Sequence, residues 1–176
     1  MNYLILAGIY NSGSDHWQSH WLNSDHRFSK LEHSSWDFPD RKVWVNELEE
    51  KILSLGSNTV LVAHSLACLM VVHWASQNKL RVQGALLVSV PDPDGENFPK
   101  DAKNFGDLPD SPLPFPSIVV SSDNDPYGTS AFMSSCATNW GSQFVGLNGL
   151  GHINADSKLG DWSLGKELLR KIANPE

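Results

Sequence analysis

The chain is poor in the features that would give it a partner or a compartment. It has only 2 cysteines in 176 residues, Cys68 and Cys136, with neither redox-motif nor zinc-site spacing. That excludes a disulfide framework and a cysteine-based metal site, and leaves Cys68 as a small core residue. Basic residues are scarce as well. The 13 Lys and Arg stand against 20 Asp and Glu, the net charge is −7, and no basic cluster relieves it. This balance argues against nucleic acid or an anionic membrane as partner. Long apolar runs are missing too. Tyr3 to Ala7 is too short for a signal-peptide core and lacks a basic segment before it. No run approaches the roughly 18 residues of a spanning helix. The expectation is a soluble, cytoplasmic protein. With neither internal repeats nor a low-complexity tail, residues 1–176 read as a single domain large enough for a substantial core.

What is present is an alternation of strand and helix signals. Asn2 to Ala7 reads as a buried strand ended by Gly8. Asp15 is placed to cap a short helix carrying Trp17, Gln18, His20 and Trp21. A weaker strand is expected over Lys30 to Trp36, and a helix over Arg41 to Leu55, with Val43, Trp44, Leu48, Ile52 and Leu55 inward. Val60 to His64 and Val82 to Val90 are apolar runs suited to strands covered on both faces. Residues 91–116 hold seven of the ten prolines and exclude regular structure over most of their length. A strand at Ser117 to Ser121, a helix at Thr129 to Trp140, a strand at Gln143 to Leu147 and an amphipathic helix at Ser163 to Ile172 complete the chain. In the last helix Leu164, Leu168, Leu169 and Ile172 are expected inward. About six alternations predict an α/β fold with a mainly parallel sheet and helices on both faces. Sites in such sheets lie beyond the C-terminal ends of the strands.

One strand end carries Ala63-His64-Ser65-Leu66-Ala67, where an apolar strand turns into a helix at the serine. Small residues two positions either side of a serine at such a corner form a nucleophile elbow, because larger ones would clash where strand meets helix. A serine hydroxyl is a poor nucleophile at neutral pH and needs a base, which a carboxylate must orient. On hydrolase sheets these partners follow in the order serine, acid, histidine. Here Asp123 and Asp125 follow the Ser117 strand, and His152 follows the last strand, just after two flexible glycines in Gly149-Leu150-Gly151-His152. Asp125 is favoured as the acid because the rigid Asp125-Pro126 turn fixes a carboxylate in place; Asp123 and Asp92 are the alternatives. A developing oxyanion needs N–H donors. The Leu66 amide heads the elbow helix, and the second donor is expected from Ile9, with Tyr10 next.

The other histidines carry less. His16 and His20 are spaced to share a helix face, but no third ligand is evident, so no metal is expected. His64 is expected to point away from the site or pack beside it, and His73 to be structural. The tryptophans are expected in the core, with one or two lining an acyl pocket.

With these residues in place, the chain resembles the compact α/β-hydrolase family of retinoblastoma-binding protein 9 and its bacterial relatives. The resemblance rests on Leu6-Ala7-Gly8, His16-Trp17-Gln18-Ser19-His20-Trp21, Trp36-Asp37-Phe38-Pro39, the elbow, Ser121 to Tyr127, and Gly151-His152. It implies a shortened hydrolase sheet of six parallel strands in the order 2-1-3-4-5-6, with no large cap domain. It also matches Ser65, Asp125 and His152 to the family's serine, aspartate and histidine. The Leu-x-Cys-x-Glu partner motif does not carry over, since Leu66-Ala67-Cys68-Leu69-Met70 lacks the glutamate. The expected activity is cofactor-free hydrolysis of a small carboxylic ester, or an amide, through an acyl-enzyme on Ser65. The prolines of 91–116 would wall an open pocket. The alternative is an interaction protein that keeps the fold without the chemistry.

Overall fold

The structure, a computed structural model, describes residues 1–77 and 79–173. Six strands form one parallel sheet: β1 (Asn2–Leu6), β2 (Phe28–Lys30), β3 (Thr59–His64), β4 (Gly84–Val88), β5 (Ser117–Ser122) and β6 (Gln143–Leu147). Their spatial order is 2-1-3-4-5-6, with every pairing parallel. Among the described residues five α-helices flank the sheet: α1 (Trp17–Ser24), α2 (Arg41–Leu55), α3 (Leu66–Gln77) and α4 (Ser130–Trp140) lie between strands, and α5 (Ser163–Ala173) follows the last one. Among the described residues this is the compact α/β-hydrolase sheet that the family resemblance implied, without a large cap.

Side chains alternate across a strand, so each strand serves two cores. Leu4, Leu6, Leu61, Ala63, Ala85, Leu87 and Val119 face a layer containing α2, α3 and α4, with Trp44, Leu48, Leu69, Trp74 and Trp140. Tyr3, Ile5, Val60, Val62, Leu86, Val88, Ile118 and Val120 face the other layer, with Trp17 and Trp21 of α1 and Leu168, Leu169 and Ile172 of α5. Cover on both faces is why the central strands read as continuous apolar runs rather than alternating ones. The chain reverses direction across the sheet between β1 and β3. Their C-terminal ends flank the crevice where such sheets bind ligands.

Several boundaries differ from the sequence reading, each for a local reason. The second strand is Phe28–Lys30, earlier than Lys30 to Trp36. Beyond Leu31 the chain leaves the sheet, because the His33 ring and the Ser34 N–H both bond to the Glu47 carboxylate on α2. His33 also stacks on the Trp44 indole at 3.8 Å. The cap of α1 is His16, not Asp15: its Nδ1 accepts the Gln18 N–H at 3.2 Å, while Asp15 is exposed. On α2 the buried stripe is Trp44, Val45, Leu48 and Ile52, and Val43 is exposed, since the Asp40 cap sets the helix rotation through the Val43 N–H. On α5 Leu164 is exposed, whereas Gly165 is buried against the Trp162 ring. Strand β4 ends at Val88, because Ser89 adopts φ of +56° and its N–H bonds the Val120 carbonyl. Thr129 caps α4 rather than belonging to it. Residues Lys100–Phe105 of the proline-rich segment form a 3-10 turn.

Candidate active site

Ser65 sits between the last residue of β3 and the first of α3, with φ of +56°. For a non-glycine residue this conformation costs about 1–3 kcal/mol and persists only where its surroundings hold it. Here the Ser65 N–H donates to the Val88 carbonyl at 2.9 Å, and the Cys68 N–H donates to the Ser65 carbonyl at 2.8 Å. Both groups are thereby fixed to the adjacent strand and to the first helical turn, so the hydroxyl stands clear of the sheet. The small flanks are required: Ala63 and Ala67 are fully buried. Gly8, at the end of β1, is closer still. A Cβ there would lie 2.9 Å from the Ser65 Cβ and 3.4 Å from its Oγ.

The structure brings Ser65, His152 and Asp125 into one hydrogen-bonded line. His152 Nε2 is 2.8 Å from Ser65 Oγ, and its Nδ1 is 2.9 Å from each Asp125 carboxylate oxygen. A carboxylate on Nδ1 holds the ring proton there and leaves Nε2 bare, as a base facing the hydroxyl must be. The Asp125 side chain is wholly buried, and its Oδ1 also accepts the Tyr127 N–H at 2.9 Å across the Asp-Pro turn. The other two acids stand elsewhere. Asp123 Oδ1 accepts the Gly149 N–H at 2.8 Å. Asp92 Oδ1 accepts the Asp94 N–H at 3.0 Å in a local turn.

The loop carrying His152 is held by side chains that sequence reasoning missed. Three consecutive residues at the end of β5 take three consecutive amides: Asp123 the Gly149 N–H, Ser122 the Leu150 N–H at 2.9 Å, and Asn124 the Gly151 N–H at 2.7 Å. Gly149 and Gly151 have φ of +71° and +57°, which lets the amides converge on that edge. On the carbonyl side, His64 Nε2 lies 2.9 Å from the His152 oxygen, and Trp17 Nε1 donates to the Ile153 oxygen at 2.8 Å. Gln18 ties the neighbouring strands: its Nε2 donates to the Leu6 and Val62 carbonyls at 3.1 Å each, and its Oε1 accepts from Ser12 Oγ at 2.8 Å. The available signal was positional. Polar residues at the C-terminal ends of β3 and β5 interrupt otherwise apolar strands.

The two expected oxyanion donors also lie at the site. Ile9 and Leu66 both line the cavity beside Ser65, and among the described residues neither backbone N–H has a hydrogen-bond partner. The Tyr10 N–H is already engaged, donating to the Trp36 carbonyl at 3.2 Å. The cavity measures about 210 Å³, and its walls include Ile9, Leu66, Pro91, Pro99 and Tyr127. Pro91 and Pro99 belong to the proline-rich segment, which thus forms one wall. Among the described residues no tryptophan lines it; six of the seven are buried in the two cores.

Three histidine rings run edge to face from the cavity wall into the site, His16 to His64 at 4.7 Å and His64 to His152 at 4.9 Å. Burial, and after it the charge of His152, holds the His16 imidazole down at about 4. Burial, then the neighbouring His16 and His152, pushes His64 well below the ordinary histidine value. Both rings are therefore neutral at neutral pH. His16 is buried and His20 exposed, and among the described residues no group of three His, Cys, Asp or Glu is placed to hold a metal ion. His73 bonds the Phe105 carbonyl through Nε2 at 3.0 Å, a structural role. Burial pushes the Cys68 thiol far up and the Cys136 thiol up to about 12, so neither is a nucleophile. Among the described residues no helix is long and apolar enough to cross a membrane.

Comparison with known proteins identifies the fold and the family. The chain is similar to a structure from Pectobacterium atrosepticum described as a YdeN-like hydrolase, with 26% identity over 98% of this chain and 90% of that one, and a TM-score of 0.87. The ydeN gene product of B. subtilis shares the fold at 20% identity, covering 97% of both chains, with a TM-score of 0.81. A thermophilic esterase from Thermogutta terrifontis shares it at 17% identity over 99% of this chain and 91% of that one, with a TM-score of 0.72. No curated protein sequence matches the chain. The model of the serine hydrolase family matches residues 3–171, and the chain belongs to that family.

Proposed function

We propose that the chain is a carboxylesterase-type serine hydrolase in which Ser65 is the nucleophile, His152 the general base and Asp125 the acid that orients it. The observation that carries this reading is the unbroken line from Ser65 Oγ through both His152 nitrogens to a buried Asp125 carboxylate. Ser65 attacks the ester carbonyl as His152 takes the hydroxyl proton. The oxyanion is met by the free N–H groups of Ile9 and Leu66, and the Tyr10 amide, already bonded to Trp36, is set aside. His152 then gives its proton to the leaving alcohol, and water repeats the sequence to release the acid. The acid is Asp125 rather than Asp123, because the Asp123 carboxylate is occupied by the Gly149 amide. A cavity of about 210 Å³ is smaller than the roughly 300–1,000 Å³ typical of drug-sized ligands, which favours short acyl groups. The whole chain acts as one α/β-hydrolase domain and requires no cofactor for these steps.

The test is labelling by a fluorophosphonate probe, which reacts only with an activated serine. One equivalent should be incorporated by the natural chain and none by Ser65→Ala. Absence of Ser65-dependent labelling in folded protein would refute the hydrolase assignment and favour a non-catalytic role for the fold.

A further inference from the structure

We infer that His64, the residue immediately before the nucleophile, is a positioning residue that fixes His152 through its backbone. The inference rests on the catalytic roles proposed above for Ser65 and His152. On β3 the side chains of Val60 and Val62 lie in the core shared with α1 and α5, and alternation points His64 the same way. An aliphatic residue would complete that face. The chain instead buries an imidazole, which is tolerated only where its N–H finds a partner. That partner is the carbonyl of His152, 88 residues away in sequence and 2.9 Å from His64 Nε2. The ring is neutral, so Nε2 carries the proton and donates it to the carbonyl.

The consequence is geometric. The backbone of His64 leads directly into Ser65, while its side chain holds the residue that must receive the Ser65 proton. A single residue therefore ties nucleophile and base together, independently of the loops that carry them. The amide side of the His152 loop is already gripped by Ser122, Asp123 and Asn124. The His64 bond, with Trp17 on the next carbonyl, closes the opposite side. Without it, the loop keeps its amide anchors and the Trp17 and Ser157 bonds to the Ile153 and Leu150 carbonyls, but the peptide of His152 itself is free to tilt between them. The imidazole would then swing relative to Ser65 Oγ, where a misplacement of about 1 Å costs roughly a hundredfold in rate.

The experiment compares His64→Met, which keeps length and bulk but has no donor, with His64→Gln, whose amide N–H reaches a comparable position. In the full chain, kcat and KM are measured on p-nitrophenyl acetate. The proton resonance of His152 Nδ1–H is followed by NMR in the same proteins without substrate. The expected result for His64→Met is a fall in kcat of roughly 10- to 100-fold with KM within about twofold, and a shifted or broadened His152 resonance. His64→Gln should restore kcat to within about threefold and recover the resonance. Should His64→Met fail to fold, His64→Asn takes its place, since its shorter amide keeps polarity but not reach. Full kcat and an unmoved resonance in the folded donor-less variant would overturn the inference. So would equal losses in His64→Gln and His64→Met, which would mean that the ring only fills space. If the natural chain takes no fluorophosphonate label, the hydrolase assignment fails, and the resonance alone decides whether His64 positions His152.

Discussion

Replacing Asp125 by Asn removes one charge and changes no volume, so its effect can be worked from the geometry. The carboxylate makes three contacts: two to His152 Nδ1 at 2.9 Å and one to the Tyr127 N–H, also at 2.9 Å. An asparagine has one acceptor oxygen. If that oxygen keeps the Tyr127 amide, its NH2 group faces His152 Nδ1. The imidazole must then carry its proton on Nε2, where it can no longer accept one from Ser65. If the oxygen turns to His152 instead, the Tyr127 amide loses its partner and the Asp-Pro turn loosens. Either way the imidazolium formed during attack loses its counter-charge. A unit pair at about 4 Å is worth ~4 kcal/mol at an effective dielectric constant near 20, or roughly 10³ in rate. With the tautomer error added, the loss should reach about 10³–10⁴ in kcat, the size found for the same change in a serine protease triad. KM should stay within a few-fold, because the carboxylate does not touch substrate. The control is Asp123→Asn, which retains an acceptor for the Gly149 amide and should stay within about threefold of the natural chain. The assay is steady-state hydrolysis of p-nitrophenyl acetate at pH 8, with circular dichroism confirming the fold. If Asp123→Asn is the crippling change, or Asp125→Asn keeps more than about a tenth of kcat, the assignment of the acid is wrong.

Other changes have equally direct expectations. Gly8→Ala places a Cβ 2.9 Å from the Ser65 Cβ and 3.1 Å from the His64 oxygen, so kcat/KM should fall by roughly 10- to 100-fold, with fluorophosphonate labelling slowed in parallel. Gln18→Met leaves the buried Leu6 and Val62 carbonyls without their donor and should cost about 2–3 kcal/mol in urea unfolding. His16 has its pKa lowered from 6.5 to about 4, so the unfolded chain binds its proton more readily. Stability from this group is complete above pH 6.5 and is lost as pH falls towards 4, amounting to roughly 3 kcal/mol. His16→Asn keeps a good helix cap and should flatten the slope of stability against pH by about one proton over that range, measured by urea unfolding at stepped pH.

The strands and helices were legible where one physical signal dominated. Val60 to His64 lie where the apolar pattern places them, because burial on both faces leaves little choice of residue. Boundaries failed where a side chain outbid the backbone. The His33 and Ser34 bonds to Glu47 drew the chain out of the sheet after Leu31, and nothing in a propensity scale anticipates a partner on the next helix. Likewise Asp15 is the better cap by residue type, yet the His16 ring folds back onto Gln18 because it is buried beside the site.

The same division runs through the site. Ser65, Asp125 and His152 could be singled out because their proposed chemistry demands particular side chains, in a known order, at strand ends. Their supports could not, because what is supported is mostly backbone, and a carbonyl or amide leaves no letter in the sequence. Ser122, Asp123 and Asn124 look like turn residues until the glycine loop folds onto them; only then do three acceptors meet three amides. Asp123 shows why the distinction matters. By type and position it competes with Asp125 for the role of acid, and only the neighbour each carboxylate meets separates them: an amide for one, an imidazole for the other. Both loops therefore needed acidic or amide side chains at that corner, and it is the packing of the last loop on β5 that divides the work between them.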